Sequence, residues 1–223
     1  MNTMQKRVFL FAGGELNDPS FFISKMAELK PSQIVCADGG AAHLYSAGMI
    51  PNVIIGDMDS LGSDIRRYFE DQGSTLIVYP ETKDKTDTQL ALDYIIDTAP
   101  DEIYIFGALG KRIDHALANV SLLVAGLEKG IPVTLMDEWC EMFIVTGERV
   151  IKGEVSQTVS LLPFSDRVTG ITLQGFEYPL ENGVMEIGKP YGISNRLSSR
   201  RGVIAVYSGR LLVIRYLEAG IFP

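Results

Sequence analysis

Short apolar runs, each closed by glycine or proline or by an acidic turn, punctuate the first two thirds of the chain. Val8 to Ala12, Ile34 to Ala37, Val53 to Ile55, Thr75 to Tyr79, Ile103 to Phe106 and Val133 to Met136 are each too short for a stable helix. Their β-branched and aromatic content predicts strands buried on both faces. The segments between them carry helical spacing. Asp18-Pro19 opens one with Phe22, Met26 and Leu29 on one side, Ala41 to Ala47 suits a short helix stopped by Gly48, and residues 63–72 read as a polar-faced helix ended by Gly73. Thr86 followed three residues later by Gln89 is a capping-box pattern ahead of the stripe Leu90, Ala91, Tyr94 and Ile95. The clearest period is Ile113, Ala116, Leu117, Val120, Leu123, Val124 and Leu127, which predicts one amphipathic helix halted at Gly130-Ile131-Pro132. Strands alternating with helices predict a parallel sheet covered on both faces.

Beyond about Met142 the pattern changes. Val159–Leu162, Val168–Leu173, Val184–Ile187, Val203–Tyr207 and Leu211–Tyr216 are short β-rich runs, with Ser208-Gly209 as a hairpin signal between the last two. No helical period interrupts them. The expected fold is therefore an N-terminal parallel-sheet α/β domain, residues 1–145, followed by a C-terminal all-β sandwich, residues 146–223, with the boundary inside 140–152.

Composition changes this picture little. A chain of 223 residues that is 46% hydrophobic can bury a core for each part. A net charge of −8 argues against a nucleic-acid partner. No apolar stretch is long enough to span a membrane, and the apolar run after Lys6-Arg7 is too short for a signal peptide. Cys36 and Cys140 sit in apolar surroundings without metal-type spacing, which reads as two reduced core residues of a cytoplasmic protein.

The chemistry collects at strand ends. In an open α/β sheet, ligands bind beyond the carboxyl ends of the strands. There lie Asp38-Gly39-Gly40, Asp57-x-Asp59, Asp84-x-x-Asp87, and Gly107-x-x-Gly110-Lys111-Arg112-x-Asp114-His115. Asp57 and Asp59 could face a hard divalent cation, or simply cap the helix that follows. Asp87 could serve only its helix dipole, Arg112 could be a solvated helix-start residue, and His115 a surface histidine. The glycine pairs could be tight turns or phosphate cradles. Convergence on one sheet edge favours the chemical readings, because clustered acids repel unless a cation such as Mg²⁺ bridges them to substrate phosphates. No Walker A pattern and no zinc spacing occurs.

Ala37-Asp38-Gly39-Gly40-Ala41, Gly56-Asp57-Met58-Asp59-Ser60, Asp84-x-Thr86-Asp87, and Gly107-Ala108-Leu109-Gly110-Lys111-Arg112-Ile113-Asp114-His115 resemble the motifs of the thiamine pyrophosphokinase family, in order and spacing. Ile193-Ser194-Asn195 resembles its Ser-Asn motif, so the likeness reaches nearly the whole chain. The resemblance implies transfer of the diphosphoryl group of ATP to the hydroxyl of thiamine with release of AMP, in a homodimer whose sites lie between subunits. It implies Asp57, Asp59 and Asp87 as ligands of Mg²⁺, Arg112 as a neutraliser of phosphate charge, and Asp114 as an orienting group for thiamine. Asp38, Gly39, Gly40, Asp84, Thr86, Ser194 and Asn195 would line the substrate sites. The chain departs from the family where Ala42 replaces a frequent Asn and Lys111 a usual Gly. The family's eukaryotic members place a Trp of the C-terminal domain against the thiamine, whereas the single Trp139 here precedes that part; Tyr191 is a candidate for the stacking residue or an ordinary surface tyrosine. The competing readings are another Mg²⁺-dependent phosphotransferase or phosphohydrolase, and a non-enzymatic nucleotide-binding module.

Overall fold

Six of the apolar runs form one parallel sheet in the computed structural model, which describes residues 5–82, 84–189 and 191–219. The chain divides into two compact units, Met1–Glu138 and Trp139–Pro223. In the first, strands β1 (Arg7–Phe11), β2 (Gln33–Ala37), β3 (Val53–Gly56), β4 (Thr75–Val78), β5 (Glu102–Phe106) and β6 (Val133–Met136) alternate with helices α1 (Pro19–Leu29), α2 (Ala41–Ser46), α3 (Ser63–Asp71), α4 (Asp87–Asp97), α5 (Ile113–Ser121) and α6 (Leu123–Glu128). The strand order is β6-β5-β1-β2-β3-β4, with every pairing parallel. The chain winds from β1 outward to β4, then returns to place β5 on the other side of β1. That reversal is a topological switch point, and it opens a crevice at the carboxyl ends of β1 and β5.

Alternate residues of each strand face opposite helix layers. Phe9, Phe11, Cys36, Ile54 and Phe106 join Phe22, Leu44 and Phe69 of α1, α2 and α3 in one buried cluster, where Phe11 stacks on Phe106 at 5.1 Å. On the other face α4 packs against β1, β2 and β3 through Ala91, Leu92 and Ile95. The expected Thr86 cap is present, its hydroxyl accepting from Gln89 N at 3.2 Å, and α1 is capped by the Asp18 carboxylate, which accepts from Ser20 N at 2.9 Å.

The single helix expected over residues 113–127 is divided at Leu122 into α5 and α6. Its apolar stripe does not all point inward: Ile113 and Leu117 are 66% and 67% exposed, whereas Asn119 is buried. The reason is chemical. The Asn119 amide donates to Ala108 O at 2.7 Å, and that bond turns a polar position of the helix toward the β5 loop.

The second unit is a sandwich of two antiparallel sheets. One has the order β12-β9-β14-β7 and the other β11-β10-β13-β8. The strands are β7 (Cys140–Val145), β8 (Glu148–Lys152), β9 (Gln157–Pro163), β10 (Arg167–Gln174), β11 (Leu180–Glu186), β12 (Gly192–Arg196), β13 (Arg201–Ala205) and β14 (Leu211–Ala219). Phe143, Val159, Leu161, Leu211 and Val213 of the first sheet share a core with Ile151, Val168, Ile171, Met185 and Ile204 of the second. The hairpin expected at Ser208-Gly209 is not formed. β13 pairs with β8 and β10, and β14 with β7 and β9, so this turn carries the chain from one sheet to the other. A turn dipeptide marks a reversal, but burial of β14 between β7 and β9 decides which strand receives it. Both cysteines are buried and unbridged. Among the described residues no helix is long and apolar enough to cross a membrane.

Candidate active site

A cleft of about 560 Å³ opens at the switch point. It is lined by the ends of β1 (Ala12 to Glu15), β2 (Asp38, Gly39) and β5 (Ala108 to Arg112), by Ser60, by the start of α4 (Lys85 to Thr88) and by His115. Each turn is shaped by a local cause. Met58 takes a left-handed conformation, φ 66°, and its side chain is buried in the core, which fixes the turn carrying Asp57 and Asp59 on either side of it. Asp57 accepts from Asp59 N at 3.3 Å, and the Ser60 hydroxyl donates to Asp59 at 2.8 Å. Gly56 precedes them because a Cβ there would lie 2.7 Å from Asp38 Cβ and 3.1 Å from Asp87 Oδ1. The close approach of β2, β3 and α4 at this point admits no side chain.

Asp38, Asp57 and Asp59 can bring one oxygen each within 4.8 Å of one another. Asp38 is 4% exposed; its Oδ2 accepts from Ser60 N at 3.2 Å, while its Oδ1 is buried without a hydrogen-bond partner. Burial raises its pKa above the ordinary carboxylate value, the Ser60 hydrogen bonds oppose that rise, and the charges of Asp87 and Asp59 add to it. Three converging carboxylates with a buried oxygen left over are a donor set that suits a hard, oxygen-seeking dication. The expected ligand set was Asp57, Asp59 and Asp87. In the structure Asp38 groups with Asp57 and Asp59, and Asp87 stands at the first position of α4 in the cleft wall.

The basic element is more exposed. Arg112 forms a two-pronged pair with Asp114, at 2.6 and 3.3 Å, with both side chains in solvent. This contact holds the Asp114 carboxyl below its ordinary pKa and raises that of Arg112. Arg112 lines the cleft, but Asp114 does not, so Asp114 reaches the cleft in this structure only through its partner. The other described cations lining the cleft are also paired: Lys85 with Asp93 at 2.8 Å and Lys111 with Glu15 at 3.0 Å. Thr86 lines the cleft as the cap of α4, whereas Asp84 is exposed outside its lining; Lys83, in the same loop, lies outside the described residues.

In the second unit, Ser194 sits in a left-handed bulge of β12, φ 59°, and is exposed; its N–H donates to the Ser160 hydroxyl at 3.0 Å. Asn195 is buried. Its side chain accepts from Tyr178 N at 3.0 Å and donates to Tyr178 O at 2.8 Å, so its amide is committed to the backbone and does not present a free edge to a ligand. Trp139 and Tyr191 are both more than half exposed.

Sequence reasoning passed over the first strand end. Gly13 and Gly14 line the cleft, and a Cβ on Gly14 would lie 2.3 Å from Leu109 O. The signal was present, since a Gly-Gly closing a buried strand repeats the Gly39-Gly40 turn after β2. Asn119 and Lys85 had no comparable signal, because their roles follow from helix placement.

An acidic cluster and paired glycine loops at the switch point of a parallel sheet fit the class of α/β phosphotransferases. The comparisons with known proteins narrow the class. The catalytic-domain model of thiamin pyrophosphokinase matches residues 27–135, and the vitamin B1 binding-domain model of the same enzyme matches residues 148–211. Thiamine pyrophosphokinase of Bacillus subtilis is 39% identical over 180 residues, covering 80% of this chain and 84% of that one. Its crystal structure aligns with a TM-score of 0.85 at 32% identity, over 96% of this chain and 100% of that chain, and the enzyme from Geobacillus thermodenitrificans aligns with 0.81 at 29%, over 97% and 100%. The chain belongs to the thiamine pyrophosphokinase family.

Proposed function

We propose that the switch-point cleft binds ATP with Mg²⁺ and that the chain transfers the β,γ-diphosphoryl group to the hydroxyl of thiamine. The thiamine hydroxyl oxygen forms a bond to the β-phosphorus and gives up its proton to solvent, the bond from that phosphorus to the α–β bridging oxygen breaks, and AMP leaves. The observation that carries the reading is the Asp38, Asp57 and Asp59 cluster with one buried Asp38 oxygen unpartnered; of the three, Asp38 lines the cleft together with Gly13, Gly14 and Gly110, and Asp57 and Asp59 stand beside it, outside the lining.

Asp57 and Asp59, with Asp38 and Asp87 beside them, would hold Mg²⁺, which when bound neutralises triphosphate charge. Arg112 would exchange Asp114 for phosphate oxygens, a trade a guanidinium makes readily because its fork fits either anion. Lys85 and Lys111 would do the same from their carboxylate partners. Release of Arg112 would free Asp114 to meet the thiamine. Gly39 and Thr86 line the walls; Gly40, buried behind them, would let the turn approach β1, and Asp84, exposed outside the lining, would meet the substrate only on its approach.

The second unit would supply the thiamine-facing surface to another subunit. Ser194, exposed in its bulge, is the contact group, and Asn195 acts by holding the Tyr178 backbone beside it. A homodimer would cover apolar side chains left in solvent, Ile113 and Leu117 on α5 and Tyr191 and Ile193 near β12. We place the protein in the cytoplasm, where its two unbridged cysteines would stay reduced.

A turnover assay on the purified protein decides the reaction. With thiamine, ATP and Mg²⁺ the expected products are thiamine diphosphate and AMP in equal amounts. ADP instead of AMP would mean a monophosphoryl kinase, and nucleotide consumption independent of thiamine a hydrolase.

A further inference from the structure

The glycine loops after β1 and β5 are stitched together by backbone. Ala12 N donates to Phe106 O at 2.8 Å, Gly14 N to Gly107 O at 2.7 Å, and Glu15 N to Leu109 O at 2.9 Å. These bonds use the amides of Gly14 and Glu15, so neither is spare for a phosphate. The part-buried carbonyl of Gly14 is met by a side chain from a third element: His43 Nε2 lies 2.9 Å from it. A carbonyl only accepts, so Nε2 carries the hydrogen and donates. His43 belongs to α2, the helix that follows the Asp38-Gly39-Gly40 turn. Its Nε2 would also be 3.4 Å from a Cβ on Gly107, so the ring tip rests against both loops. The side chain does not line the cleft. Burial lowers its pKa, so at neutral pH the ring is uncharged.

We infer that His43 is a positioning residue that locks the paired loops 13–15 and 107–110 to the Asp38 turn, and so sets where the phosphates of the nucleotide lie without touching them. The inference rests on the reading of this cleft as the ATP site. An apolar residue of similar size would fill the same space, but it would leave the Gly14 carbonyl without its donor. That loss is relieved only if the loop shifts toward water. The α2 helix would then no longer tie the acidic turn to the glycine loops, and the effect would fall on the nucleotide rather than on thiamine.

The test uses the full-length protein with His43→Leu and His43→Gln. A glutamine amide nitrogen stands as many bonds from Cα as Nε2 does, so it can restore the donor. His43→Leu should raise KM for ATP by about three- to tenfold, the effect of one lost hydrogen bond, while kcat and KM for thiamine stay within about twofold. His43→Gln should recover most of the loss. Hydrogen exchange read without nucleotide should show the amides of Gly14 and Glu15 exchanging faster in His43→Leu and near the wild-type rate in His43→Gln. Unchanged exchange at those amides, or an equal rise in both KM values, overturns the inference. If His43→Leu does not fold, His43→Asn replaces it. Its amide is one bond too short, so behaviour identical to His43→Gln overturns the inference equally. A wild-type protein that consumes no ATP would instead overturn the reading of the cleft, and the exchange measurement would still judge the lock.

Discussion

Asp38 combines a left-handed backbone, φ 39°, near-complete burial and an unpartnered Oδ1. Each is costly by itself, and together they describe a residue kept for binding rather than for stability. Its pKa is raised by burial first, with the charges of Asp87 and Asp59 adding to the rise. The sign follows from proton linkage. A carboxyl raised in the folded state binds more protons there than in the unfolded chain, so its contribution is full below the unfolded value and is lost as pH rises through the folded one. Above the folded value, and without a cation, the ionised group is a net cost. Asp38→Asn, whose side chain tolerates the same backbone region, should therefore raise the melting temperature in chelator at pH 7 by roughly 2–4 °C, the shift that about 1 kcal/mol makes in a protein of this size. It should lower turnover at least about a hundredfold. Thermal melts in EDTA at pH 7 and pH 4 check this, with the advantage of the variant shrinking at the lower pH. A variant less stable than wild type in EDTA would mean that Asp38 is satisfied by the protein alone.

At the scale of elements, the site depends on where helices begin. Helix α4 starts at Asp87 because the Thr86 hydroxyl takes the Gln89 amide, and this start fixes Asp87 beside Gly56 and Asp38. Thr86→Ala should cost about 1 kcal/mol of stability, the usual worth of such a cap. It should also weaken turnover, because the first turn that presents Asp87 would fray. Urea unfolding followed by far-ultraviolet circular dichroism gives the first quantity and the coupled AMP assay the second. Loss of stability with unaltered turnover would show that Asp87 does not need an ordered α4 start. Helix α5 offers the opposite lesson. Its sequence carries a regular apolar stripe, yet Ile113 and Leu117 face solvent and Asn119 faces in, because the hydrogen bond to Ala108 O orients the helix against the β5 loop.

At the scale of the whole molecule, the proposed reading puts the chemistry in the first unit and a thiamine-facing loop in the second. Under the proposed homodimer, the two come together from different subunits. Asp57→Asn and Asn195→Ala should each be inactive, the first through its cleft and the second through the loosened Tyr178 backbone. Mixed and allowed to exchange, they should form hybrid dimers holding one intact site, restoring about one quarter of wild-type activity when exchange is random. Mass spectrometry of differently tagged subunits verifies exchange and the AMP assay reads activity. Proven exchange without recovery would place Ser194 and Asn195 with the cleft of their own subunit, or with none.

How much was legible follows from what one residue can signal. The six parallel strands stood out because strands covered on both faces must be apolar throughout, as Val53 to Ile55 are. The acidic turns and the Gly107–Arg112 loop stood out because strand ends are where an α/β sheet exposes its chemistry. Strands β8 and β12 did not, since both are edge strands with a partner on one side only, and Glu148–Lys152 and Gly192–Arg196 need no apolar alternation. Three matters belonged to the tertiary structure alone. Ser208-Gly209 joins two sheets rather than one hairpin, Asn195 is spent on Tyr178, and His43 reaches back to Gly14. Periodicity and turn chemistry act between neighbours in the chain, and they determined the parallel strands, most of the helices and the acidic strand ends. Which donor meets which distant carbonyl is decided only when buried polar groups must all find partners in a packed interior, and no local pattern carries that information.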